Sequence, residues 1–152
     1  LEETVNTPST FRHLAAGLAL SALVAVSSGC SPVSKLIAKD TLNNGVREFN
    51  KGRYPQAEGL FQKALYYDPN NKNAKLFYAM TLNARLKREP TEDLGKQTIE
   101  AYKAVVAEDP SFEQKDKAYA FIAEVYRTMI DTLDPEKDAA KIEQFKEERR
   151  KW

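Results

Sequence analysis

The sequence predicts an all-α fold built from about three stacked helical hairpins. Three observations carry that expectation. Apolar residues recur at helical spacing, as at Leu60, Phe61, Ala64 and Leu65. Turn and stop signals cut the chain into helix-length pieces: Gly52 with Pro55, then Asp68 with Pro69. A spacing also repeats, since Lys75, Tyr78, Ala79 and Leu82 are matched by Tyr119, Ile122, Ala123 and Tyr126.

The first hairpin spans about residues 38–71. Val46 and Phe49, with Tyr54 and Ala57 across a turn, mark one apolar stripe, and Leu60 to Leu65 continue it. Gly52 suits the left-handed position that ends a helix. Pro55 suits the first turn of the next helix, where a missing N–H costs nothing. The second unit spans about residues 72–110. Ala74, Tyr78, Ala79 and Leu82 form its first helix; Ile99, Tyr102, Val105 and Val106 form its second, with Pro110 as the stop. Thr91, followed by Glu92 and Asp93, reads as an N-cap with acids in the first turn. The third unit spans about residues 116–152. Asp134 and Pro135 read as the cap and first residue of its second helix, with Ala139, Ala140, Ile142 and Phe145 on the buried side.

Composition fits one folded body. Hydrophobic residues make up 42% and charged residues 30%, enough for a core and a soluble surface. The net charge of +1 gives no field to argue for nucleic acid or an anionic surface. A single cysteine, Cys30, rules out an internal disulfide or a multi-thiolate zinc site. The chain begins with Leu1, its first methionine is Met80, and it closes on a charged stretch; these features suggest a fragment of a longer protein.

Residues 14–26 carry no charge. As a helix they would span roughly 20 Å, short of a bilayer core of about 30 Å. They suit the apolar segment of a secretory signal, with Arg12 as the positive flank and small residues after it. Ser28, Gly29 and Cys30 resemble the lipobox of bacterial lipoproteins. The resemblance implies a signal peptide over residues 1–29, lipid (palmitate among its acyl chains) on Cys30, and a tether over residues 30–37 in which Ser34 caps the first helix. By the same resemblance, Ser31 favours the periplasmic face of the outer membrane. Two alternatives stay open: a small buried cysteine in a core helix, and an uncleaved anchor helix.

The first hairpin resembles the tetratricopeptide repeat. Gly45, Gly52, Tyr54, Ala57, Phe61, Ala64 and Pro69 match that signature in order and spacing. The resemblance implies a TPR-like α-α superhelix over residues 38–152. It also implies a concave groove, lined by the first helix of each pair, that takes a protein or peptide. By matching position, the groove residues are Lys39, Leu42, Val46, Phe49 and Asn50; then Asn73, Leu76, Met80 and Asn83; then Lys117, Ala120, Glu124 and Arg127. For each of these, packing against a neighbouring repeat is the competing role. Leu42 and Val46 occupy the polar sites by which some relatives clamp a terminal carboxylate, so recognition of a carboxylate end is not expected.

The chemistry left after removal of a leader is sparse. His13, the sole histidine, lies within the leader, which leaves no imidazole or free thiol in the mature chain. No Gly-rich phosphate loop is present. The acids Glu92–Asp93, Glu108–Asp109 and Glu147–Glu148 read as surface pairs at helix ends. The basic clusters at residues 85–88 and 149–151 read as solvated helix ends, with anionic lipid headgroups as the alternative contact. No catalytic residue, metal site or cofactor is expected. The sequence therefore points to a lipid-anchored envelope scaffold that binds a protein or peptide. The alternatives are an accessory module of a larger enzyme or transporter, and a periplasmic small-ligand binder.

Overall fold

A computed structural model describes residues 32–108 and 115–152. Cys30, the apolar run before it and the expected stop at Pro110 lie outside the described residues. Six helices and no strand are present among the described residues: α1 (Pro32–Asn50), α2 (Tyr54–Tyr67), α3 (Lys72–Leu86), α4 (Glu92–Glu108), α5 (Lys115–Asp131) and α6 (Ala139–Arg150). Each helix packs against the next in order, and α1 also touches α3. The expected all-α stack of hairpins is the architecture observed.

The α1–α2 hairpin closes as its residues dictate. Gly52 has φ +71°, the left-handed region that glycine enters without a Cβ penalty. Its N–H donates to the Phe49 carbonyl (2.8 Å), and the Arg53 N–H reaches back to the Glu48 carbonyl (3.0 Å). This pair of bonds satisfies carbonyls that the end of α1 would otherwise leave open. Pro55 follows in the first turn of α2. Farther along the hairpin, Gly45 lets α1 and α2 meet: a Cβ there would stand 2.5 Å from the Phe61 ring.

Two apolar clusters form the core. Ala57, Phe61, Ala64 and Ala74 are wholly buried, with Leu42 beside them. Burial of a side chain such as Phe61 contributes about 1.5–3 kcal/mol. Phe61 stacks on Phe77 (5.6 Å, 18°), and Phe49 meets the edge of Phe77 (6.1 Å, 72°), so three helices share one aromatic contact. The second cluster runs through α3 to α6, from Leu82 and Leu86 to Tyr102, Ile122, Val125 and Phe145. Tyr78 packs against both clusters and joins them.

The caps between hairpins are local. Asn71 accepts the Ala74 N–H (3.0 Å) and starts α3. The Thr91 hydroxyl accepts the Leu94 N–H (3.3 Å) and starts α4, as its sequence signal implies.

Three expectations need correction. First, α1 does not wait for a cap at Ser34; it begins at Pro32, so residues 32–37 of the expected tether are helical. Proline's fixed φ suits a first turn, so Pro32 opens this helix. Second, α6 begins at Ala139 and not at Pro135. Asp134 caps a single turn, accepting from the Glu136 (2.9 Å) and Lys137 (3.2 Å) N–H groups. Those bonds hold its carboxyl below the usual range. The Asp138 carboxylate takes the Asp134 N–H (3.1 Å) and closes the turn before α6 starts. Third, that later start rotates the buried side. Phe145 is buried and Ile142 half-buried, but Ala139 and Ala140 are exposed.

Candidate functional site

The first helices of the three hairpins, α1, α3 and α5, all contribute to one cleft of about 160 Å³. Phe49 comes from α1 and Phe121 from α5. Met80, Asn83 and Ala84 come from α3, Lys87 caps its C-terminal end, and Tyr102 of α4 lies at the base. Met80, Ala84 and Lys87 are spaced i, i+4, i+7, which puts them on one helical face. Phe121 stacks on the Tyr102 ring (5.3 Å, 21°) and fixes the far wall. The walls are apolar, and the polar groups are few.

Those few are distinctive. Asn83 is buried although its side chain is an amide. The Tyr102 hydroxyl is buried and has no hydrogen-bond partner among the described residues. Burial pushes its pKa well above that of an ordinary tyrosine; the neighbouring Asn83 opposes the rise and the Glu124 charge adds to it. At the rim, the Lys87 ammonium pairs with the Glu124 carboxylate (3.1 Å), and Arg127 stands 3.9 Å from the same oxygen.

Of the groove residues named from sequence, Phe49, Met80 and Asn83 meet in the cleft, and Glu124 joins its rim through Lys87. Leu42 is a core residue of the first hairpin, with Val46 packed against the same cluster. Leu76 packs against the second cluster. Lys39, Asn50, Asn73, Lys117, Ala120 and Arg127 are exposed and do not line the cleft. Sequence reasoning missed Ala84, Lys87, Tyr102 and Phe121 as cleft residues. One more helical turn would have found three of them: Ala84 and Lys87 continue the stripe of Met80, and Phe121 lies between Lys117 and Glu124 on one face.

The basic cluster at residues 85–88 is bound up in the fold. Arg85 pairs with Glu58 of α2. Arg88 lies over the Tyr54 ring (4.4 Å) and donates to the Gly52 carbonyl (3.3 Å). These contacts tie the end of α3 to the first hairpin. A larger crevice of about 210 Å³ lies among α4, α5 and α6, over Ile99, Met129 and Phe145. Its floor is the core of the last hairpin, with the Tyr126 and Phe145 rings 6.0 Å apart, and its rim is charged on both signs.

Among the described residues no group of three or more His, Cys, Asp or Glu side chains converges as metal ligands do. No helix of the described residues is long and apolar enough to cross a membrane. No protein-family model, curated protein or solved structure matches this chain.

Proposed function

We propose that the chain is a lipid-anchored scaffold of the bacterial envelope that holds a protein or peptide segment in the cleft between α1, α3 and α5. One observation carries the reading: an open apolar cleft is assembled from the first helix of every hairpin, with a buried amide and an unpartnered phenol at its base. Size supports a peptide side chain over a metabolite, because about 160 Å³ falls below the roughly 300–1,000 Å³ of ordinary small-ligand sites. The apolar walls would take one large side chain, and Asn83 would meet the adjoining backbone. The anchor rests on the lipobox-like Ser28, Gly29 and Cys30.

A crosslinking pull-down from intact envelopes tests the binding half, with Met80→Glu set against the parent. The reading requires that the charge removes the partners crosslinked to the parent; an unchanged set of partners contradicts it. Cell fractionation of Cys30→Ala tests the anchor, and a variant that stays in the membrane as the parent does would contradict lipid attachment.

A further inference from the structure

The large apolar side chains that the fold leaves in water are not scattered. Val33 is 64% exposed, Leu36 68%, Ile37 37% and Tyr66 81%, and Trp152 is the remaining one among the described residues. The first three lie at i, i+3, i+4 on the opening turns of α1. That helix has 19 residues and its hairpin partner 14, so α1 overhangs the end of α2 by about five residues, roughly 8 Å. Ala38 is its first buried residue. Tyr66 sits in the last turn of α2, which the antiparallel hairpin brings to the same end. Four exposed apolar side chains therefore mark one end of the stack. Exposed Lys35 and Lys39 lie beside them on α1, and exposed Lys63 lies one turn before Tyr66 on α2.

We propose that this end of the first hairpin is seated in the interface of an anionic phospholipid bilayer, with Val33, Leu36, Ile37 and Tyr66 among the lipid headgroups and upper acyl chains. The inference rests on the lipid-anchor reading, and the helix start makes it specific. Only Ser31 separates Cys30 from Pro32, the first residue of α1. A lipid on Cys30 would leave no slack, so the overhang would be delivered to the membrane surface directly. Apolar side chains flanked by lysines suit that layer, and tyrosine is favoured there because its ring is apolar and its hydroxyl wet. The lysines complement acidic headgroups. Asp40, one turn on from Ile37 and exposed on the same helix, sets the depth: it stays in water, so insertion ends with the overhang. The stack is then docked against the bilayer at its first hairpin, and the α1–α2 turn points away from the surface.

The test uses the full chain, extracted with its lipid and placed in vesicles of phosphatidylcholine and phosphatidylglycerol. Trp152→Phe removes the native tryptophan, and Leu36→Trp or Gln56→Trp adds a reporter; Gln56 is exposed near the opposite end of the hairpin. The mass of the N-terminal peptide reads the lipid on Cys30. The proposal expects Trp emission at position 36 to shift to the blue and to be quenched by brominated lipid. It also expects acrylamide to quench it at least two-fold less than at position 56. With lipid on Cys30, acrylamide quenching equal at the two positions overturns this inference and leaves the anchor standing. Shielding from both quenchers also overturns it, because a protein would then cover the overhang. A Cys30 without lipid, with the chain released from membranes, overturns the anchor and this inference together.

Discussion

Gly45 on α1 and Phe61 on α2 approach so closely that a Cβ on Gly45 would stand 2.5 Å from the ring. Phe61 cannot yield, since it is wholly buried and stacked on Phe77. Gly45→Ala should therefore destabilise the protein. Overpacking costs about 1–3 kcal/mol, and the better helix propensity of alanine returns at most about 1 kcal/mol. Gly59, also helical, has nothing within 4 Å of its would-be Cβ. Gly59→Ala should stabilise by up to about 1 kcal/mol. Urea unfolding of the two variants should give midpoint shifts of opposite sign.

Gly52 makes a different demand. Its φ of +71° costs an alanine roughly 1–2 kcal/mol, and its conformation aligns the two bonds that finish α1. Gly52→Ala should lower the thermal midpoint while leaving the helix content seen by circular dichroism nearly unchanged at 25 °C.

The Tyr102 hydroxyl lies out of water and makes no hydrogen bond of ordinary geometry, Asn83 being the neighbour that stabilises it at longer range. Deleting an unsatisfied buried group relieves a desolvation cost, so Tyr102→Phe should be neutral or stabilise by up to about 1 kcal/mol. A loss above 1 kcal/mol in denaturant unfolding would mean that the phenol is bonded, with Asn83 as its partner.

Glu92 links α4 to α6 through Lys141 and also pairs with Lys96 (2.7 Å) in its own helix. Its bond to Lys141, then that to Lys96, holds its carboxyl below the usual 4.5. A depressed carboxylate contributes stability that is complete above its unfolded value and is lost as pH falls through the folded one. Amide exchange in α6 should therefore quicken as pH drops below about 4.5, after correction for intrinsic rates. Glu92→Gln should exchange faster than the parent at pH 7 and change less on acidification.

The first hairpin was the most legible part of the sequence because its residues act locally. Gly52 must turn left-handed, Pro55 can only open a helix, and Ala57, Phe61 and Ala64 share one face. The ends were less legible for the same physical reason that makes proline informative. Pro32 serves equally as a breaker after an apolar run and as the first residue of α1, and the burial of Ala38 and the packing of Leu42 against Ala57 and Phe61 favour the helix. The Asp134-Pro135 pair likewise reads as a helix start, yet the Asp138 carboxylate four residues on reaches back to the Asp134 N–H and closes a single turn first. The cleft was half legible. Phe49, Met80 and Asn83 lie on the first helix of a hairpin, where the resemblance looks for a groove, whereas Tyr102 belongs to a second helix and meets the cleft stacked on Phe121.

The claim on which the functional account depends is that the α1–α3–α5 cleft is occupied by another polypeptide in the envelope. A photo-crosslinking residue placed at Lys87, on the rim, tests it in living cells. The account predicts a discrete crosslinked protein that disappears when Ala84→Phe fills the cleft. A crosslink that survives Ala84→Phe unchanged, or no crosslink at all, would contradict it.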